Sequence, residues 1–245
     1  MSTDITDLLK DWPYDSDQNV RIIVADDGRS VLQVRQPLGI EQYELDGRPD
    51  GDRPNGYDNV VEYLDGKIAS HNESHGEPYE LSHDECVMMQ NEGILYYYRY
   101  LLLFQINDFD RVVRDTNHNL RICELLQSYC SDEDDRNAVL QFKPYILRMN
   151  SMARAMQKVQ THESDAATDI LEHAIGEIQN MKEIETPAFQ FERVRSVNYL
   201  RSALEHVAES PSDPRKKLEL ELEQAVENED YEQAARLRDR IRELS

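Results

Sequence analysis

The chain has 245 residues, room for one large or two small domains, with 31% charged and 39% hydrophobic side chains, the balance of a globular, helix-rich protein. Its 49 acidic against 27 basic residues leave a formal charge of −22, which repels a phosphate backbone and argues against direct duplex binding. The three cysteines, Cys86, Cys123 and Cys130, form no Cys-x-x-Cys pair, and without a signal peptide they point to the reducing cytoplasm. The longest apolar run, Leu101 to Phe104, is far too short to span a bilayer.

Residues 1–18 are acidic and polar, hold the single tryptophan, Trp12, and read as a loosely held arm. From Val20 the period becomes two. Val20, Ile22 and Val24 alternate, Asp26-Asp27-Gly28 is a turn, and Val31 to Arg35 forms a second strand-like run. Pro37 and Gly39 break it, and Ile40 to Leu45 supplies a third strand, giving a small antiparallel meander. Residues 46–56 are dense in Gly, Pro, Asp and Asn with neither period, so they form a long loop of turns. Asn59 to Ile68 carries Val60, Val61 and Leu64 at helical spacing, which closes a β-containing region over 19–68. Residues 69–81 read as a linker.

Residues 82–209 are helical almost throughout. Helices are expected over Asp84–Ile106, Phe109–Cys130, Arg136–Gln160, Asp165–Met181 and from Thr186-Pro187 to Glu209, joined by short polar turns. Consecutive antiparallel helices of this kind make a bundle or a solenoid. The fold class is therefore mainly α: a β-meander, an antiparallel helical body and a C-terminal helical hairpin.

That hairpin occupies 213–245. Asp213 before Pro214 offers an N-cap and a first-turn proline. Leu218, Leu222, Ala225 and Val226 then recur at helical spacing, until Asn228-Glu229-Asp230 interrupts them. Asp230 caps a second helix, with Gln233 three residues on as in a capping box, and Ala234, Leu237, Ile241 and Leu244 share a face. Lys217 with Glu221 and Glu232 with Arg236 are i,i+4 pairs. Leu222, Val226, Leu237 and Ile241 are the expected packing face. Tyr231, Ala235, Arg238 and Arg242 are the expected contact residues for a partner. So small a hairpin buries little apolar surface, so its stripe is expected to pack on the rest of the chain or on a partner.

Glu229-Asp230-Tyr231-Glu232-Gln233-Ala234-Ala235-Arg236-Leu237-Arg238-Asp239 resembles the UVR domain. This is the helical hairpin found near the C-terminus of the excision-repair B subunit, inside the C subunit, in Clp-type chaperones and in activators of protein-arginine kinases. The resemblance implies docking on another protein's UVR or coiled-coil surface, and no chemistry of its own. An ordinary terminal hairpin accounts for the same periodicity. The kinase activators also carry paired Cys-x-x-Cys zinc sites, which this chain lacks. The arginines at 236, 238, 240 and 242 are offset by nine acidic side chains from Glu219 to Glu243, so even this stretch does not favour nucleic acid.

Two turns further up resemble tetratricopeptide (TPR) repeats. Asn107-Asp108-Phe109-Asp110-Arg111-Val112 is similar to the knuckle of one unit, and Ala167 and Ala174 to the two small positions of a second. Val112 and Ala167 are 55 residues apart, well beyond the repeat length of that family, and Asn119 stands where Ala belongs. An irregular antiparallel bundle fits equally. The segments Leu32 to Arg35, Asp46 to Gly51 and Phe104 to Thr116, together with the tail, also resemble a bacterial family that ends in this motif, a resemblance that implies architecture and no mechanism.

His71, His75, His83 and Cys86 lack the short paired spacings of a structural zinc site, so surface histidines are expected and no metal or cofactor. Arg48, Asp50, Asp52 and Arg53 offer either a small polar site or turn residues held by local ion pairs. Tyr96, Tyr97, Tyr98 and Tyr100 point around several helix faces, as in a buried central helix. The sequence lacks a Gly-x-x-x-x-Gly-Lys-Ser/Thr loop, a Gly-x-Gly-x-x-Gly turn, a Gly-x-Ser-x-Gly elbow and a His-Glu-x-x-His pair, and no catalytic residue is nominated. A non-enzymatic adaptor is expected, with an accessory factor of excision repair as the alternative.

Overall fold

The computed structural model describes residues 4–74, 76–209, 218, 222–223, 225–226 and 230–243. A short helix, α1 (Thr6–Asp11), precedes three strands, β1 (Val20–Val24), β2 (Ser30–Gln36) and β3 (Gly39–Glu44). They form an antiparallel sheet in the order β1-β2-β3, with Ile22 opposite Leu32 and Leu32 opposite Tyr43. Gly28 turns the first hairpin at φ +87°, a conformation costly for a side chain with Cβ. Val31, Leu32 and Val34 bury the middle strand. The N-terminal arm is pinned rather than loose. Arg21 stacks on the Trp12 ring at 3.8 Å, and the buried Arg35 donates from Nε to the Trp12 carbonyl at 2.7 Å.

Helices follow: α2 (Val60–Ser74), α3 (His83–Gln105), α4 (Phe109–Tyr129), α5 (Glu133–Leu140), α6 (Lys143–Gln160), α7 (Ser164–Gln179), α8 (Pro187–Glu209) and α9 (Tyr231–Glu243). Helix α2 runs six residues into the segment expected to be linker, because Ala69 to Ser74 contains no Gly or Pro to stop it. Ser82 and Glu85 close a capping box at the start of α3, with Ser82 N–H donating to Glu85 Oε2 at 2.9 Å. Asn107 at φ +61° reverses the chain, and Asp108 accepts from Arg111 N–H at 3.3 Å to start α4.

The expected helix Arg136–Gln160 is two helices. Pro144 has no N–H, and its ring would meet the Leu140 carbonyl one turn back. The ladder therefore breaks at Gln141–Phe142, and α6 restarts with Ile146 N–H donating to the Phe142 carbonyl at 3.1 Å. Pro187 heads α8, where Thr186 Oγ1 accepts from Phe189 N–H at 3.2 Å.

Two compact units divide the chain, Met1–Asn150 with Glu183–Glu192, and Ser151–Lys182 with Arg193–Ser245, so the division falls within α6 and α8. In the first, Val60, Leu64, Met89, Ile122, Leu125 and Leu126 join α2, α3 and α4 in one apolar core. Asn119, which departs from the repeat pattern, spends its amide on the Gly93 carbonyl of α3 at 2.9 Å. In the second, Ala167, Leu171, Ala174 and Ile178 form the buried stripe of α7. There Arg193 caps the end of α7, donating to the Gln179 carbonyl at 2.6 Å. Among the described residues no helix is long and apolar enough to cross a membrane.

Candidate functional site

The C-terminal hairpin consumes its apolar stripe internally. Leu218, Ala225, Ala234 and Leu237 are buried together, with Leu222 and Ile241 packed against them, a cluster made of hairpin residues among those described. Val226, expected on that face, is 50% exposed. It lies about 100° around the helix from Ala225, which takes its place. Asp230 caps α9 by accepting from Gln233 N–H at 3.0 Å. Its own N–H goes to the Ala225 carbonyl at 2.8 Å, so the reciprocal half of the expected capping box is replaced by a helix-ending bond of the Schellman type. The Glu232–Arg236 pair is present at 2.6 Å. The Asp213-Pro214 cap, the Lys217–Glu221 pair, the Asn228-Glu229 part of the interhelix turn and Leu244 lie outside the described residues.

The flank of α9 about 100° around from that packed stripe is exposed. Tyr231, Ala235, Arg238 and Arg242 recur at i, i+4, i+7 and i+11 and are all exposed, Tyr231 by 69%. Arg238 reaches its neighbour Asp239 at 3.3 Å. This stripe pairs an aromatic with two guanidinium groups, side-chain types enriched among the anchors of protein interfaces.

A second set of functional-looking side chains lies within the first unit, and periodicity alone does not announce it. Arg99 on α3 is fully buried and holds Asp115 on α4 in two bonds of 2.7 Å. Its remaining nitrogen donates to the carbonyls of Glu44 and Gly47 at 2.8 Å each. Arg114 adds bonds to the Leu45 carbonyl at 2.7 Å and to Asp46 at 2.9 Å. The chain leaving β3 is thereby fixed on α3 and α4. Two turns earlier on α3, the fully buried Glu92 carboxylate accepts from Val60 N–H at 2.8 Å and from Val61 N–H at 3.4 Å, capping α2 from another helix. His118 donates to it from Nε2 at 2.9 Å and stacks on Tyr96 at 3.7 Å between ring centres.

Of the loop residues, Arg48 comes to rest against this network with Asp50 and Asp52 beside it. Arg48 Nε lies 3.1 Å from Asp50 Oδ1 without hydrogen-bond geometry, and 3.7 Å from Glu92. Arg53 turns away to Asp58 at 2.6 Å. Asp52 N–H donates to Asp50 Oδ1 at 3.1 Å, and Gly51 adopts φ +75°. These are turn contacts and local ion pairs. The carboxylates of the network are engaged with named donors, so its chemistry is to hold elements together.

The histidines separate. His71 contacts the Glu77 carbonyl at 3.1 Å and the Tyr79 ring, and His83 meets Asp135 at 2.9 Å. Asp135 raises the His83 imidazole above its ordinary value, chiefly through that bond. His75 lies outside the described residues, and Cys86 points to Cys130 instead. Among the described residues no three His, Cys, Asp or Glu side chains converge as metal ligands. Of the tyrosines, Tyr96 and Tyr100 are buried, while Tyr98 is half exposed. The second unit also holds an open, largely apolar cavity of about 460 Å³ lined by Met152, Met156, Leu171 and Val207 among others.

Residues 214–245 match the UVR family, the UvrB/uvrC motif. That motif is found in nucleotide excision repair proteins and mediates protein interactions. No curated protein and no solved structure matches the chain. The match covers the hairpin alone.

Proposed function

We propose that this protein is a non-enzymatic adaptor of the cytoplasm whose C-terminal hairpin docks on a helical surface of another protein, one carrying a UVR hairpin or a coiled coil. A single observation carries it: the motif at 214–245 packs Leu218, Ala225, Ala234 and Leu237 against one another while Tyr231, Ala235, Arg238 and Arg242 stand exposed in one row. A hairpin that has satisfied its own core keeps that row for a partner. The engaged polar groups of the first unit agree with a role without catalysis.

The test is co-purification from the native cell with the full chain, the chain ending before Pro214, and Tyr231→Ala/Arg238→Glu/Arg242→Glu. Partners are expected with the full chain and are lost from both variants. Equal recovery by all three removes the hairpin as docking element.

Occurrence of the motif in excision repair proteins favours a second reading, an accessory factor recruited through the hairpin to the excision nuclease. It predicts salt-sensitive co-recruitment with those subunits. With a formal charge of −22, the isolated chain binds duplex weakly; tight binding by the isolated chain would sink the charge argument.

A further inference from the structure

Helices α3 and α4 form an antiparallel hairpin that the turn at Asn107-Asp108 closes at one end. At the other end its two helices meet through sulfur. Cys86, in the first turn of α3, and Cys130, the residue that caps α4, bring their Sγ atoms to 3.6 Å across a sequence separation of 44 residues. Beside them Leu81 N–H donates to the Tyr129 carbonyl at 2.8 Å, so the backbones are already joined there. A disulfide needs about 2.05 Å between sulfurs, a contraction of roughly 1.5 Å shared by two side chains. The third cysteine, Cys123, packs with Leu140 and Ile146 in a separate apolar cluster.

We propose that Cys86 and Cys130 are a modification site, oxidised by a small peroxide to a reversible disulfide that closes the open end of the α3–α4 hairpin. Both residues are buried, Cys130 the less deeply at 6% exposed against 2% for Cys86, and Cys130 meets the oxidant. Its sulfur attacks one peroxide oxygen, the O–O bond breaks, and one water leaves with the thiol proton, giving a sulfenic acid. Burial, reinforced by the bond to Cys130, raises the Cys86 thiol above its ordinary value, and Cys86, the more deeply buried of the two, acts second. Its sulfur attacks the Cys130 sulfur, the S–O bond breaks, and the departing hydroxyl takes the Cys86 proton as a second water. In sum two thiols and one hydrogen peroxide give one disulfide and two waters.

The experiment treats the natively folded full chain with hydrogen peroxide, blocks free thiols, and maps peptides without reduction. The expected product has lost two hydrogens, contains a Cys86–Cys130 cross-link that dithiothreitol reverses, and leaves Cys123 a free thiol. Cys123→Ser retains the cross-link, and Cys86→Ala and Cys130→Ala abolish it. The map of the unsubstituted chain decides the matter even where a variant fails to fold. The oxidised chain is also expected to unfold at a higher urea concentration than the reduced chain, and equal midpoints would remove the stapling role. A cross-link seen only after unfolding, one that includes Cys123 or joins two chains, or oxygen added to Cys130 while Cys86 stays a thiol would each overturn the proposal.

Discussion

Two helical hairpins in this chain are built on opposite economies. The α3–α4 pair is long, 23 and 21 residues, and commits even its charged side chains to the interior. Arg99, Glu92 and Asp115 are fully buried, and their bonds reach the exit of β3 and the start of α2. The C-terminal hairpin pairs a 13-residue α9 with a core of Leu218, Ala225, Ala234 and Leu237, and leaves the four arginines of α9 in water. The first spends charge on holding distant segments in place. The second satisfies a minimal core and keeps a polar face in reserve. Function is accordingly expected on the second and rigidity in the first.

The largest test of that contrast breaks the buried pair. Asp115→Asn leaves the Arg99 guanidinium desolvated without its countercharge, and removing one member of a buried pair costs about 3–5 kcal/mol. Urea unfolding of the full chain should show that loss. The double change Arg99→Met/Asp115→Leu should recover a large part of it, although the Glu44 and Gly47 carbonyls then lose their donor. If Asp115→Asn costs no more than a surface substitution, charge burial is not what holds α3 to α4.

Next in size is a pH-dependent effect at the start of α3. Burial would raise the Glu85 carboxyl, but Lys67, Tyr79 and Ser82 all donate to it and hold it at about 2, against an ordinary value of 4.5. A carboxyl whose folded value is depressed stabilises the fold above pH 4.5 or so, and that stabilisation disappears as the pH falls through about 2. The shift corresponds to about 3 kcal/mol at neutral pH. Chemical unfolding of the full chain and of Glu85→Gln should therefore differ most near pH 7 and converge toward pH 2. A gap that stays constant across that range would assign the difference to packing.

Leu237→Ala applies the same logic to the other hairpin. Removing a buried leucine costs about 2–3 kcal/mol, and here the loss should stay local. Hydrogen exchange should accelerate for α9 amides and leave those of α3 and α4 unchanged. Matching acceleration in α3 would mean that the two hairpins unfold together.

The two regions were not equally legible in the sequence. The meander could be read because Val20, Ile22 and Val24 alternate and Asp26-Asp27-Gly28 marks the turn. The helices from Ser82 onward could be read because their polar turns carry caps. Pro144 did announce the break between α5 and α6, but it sits within an otherwise continuous helical pattern and is easily passed over. The buried network was hidden for a physical reason. Charged residues on a helix ordinarily face water, and nothing in composition says that Glu92 and Arg99 do not. Their positions hold the clue: Met89, Glu92, Tyr96, Arg99 and Leu103 form one stripe at helical spacing and all are buried, so two of five core positions carry full charge. On α9 the four residues expected to meet a partner are all exposed, whereas Val226 was misplaced because Ala225, smaller and less conspicuous, held the packing position.

The smallest expected effect is also the one closest to function. Glu232 and Arg236 are about three-quarters or more exposed, so Arg236→Ala should cost only about 0.3–0.5 kcal/mol, diminishing in high salt. Tyr231→Ala and Arg238→Ala should likewise move stability by no more than about 0.5 kcal/mol, because neither side chain belongs to the hairpin core. Their weight should fall on partner recovery instead. A hot spot is recognised when a truncation leaves the free protein unchanged and weakens the complex by roughly tenfold or more. Measured side by side, Leu237→Ala should weaken binding by loosening the hairpin, with a matching loss of α9 protection. Tyr231→Ala should weaken it with protection intact. If both variants lose binding only in proportion to lost protection, the exposed row is scaffold surface, and the docking face must be sought elsewhere on the chain.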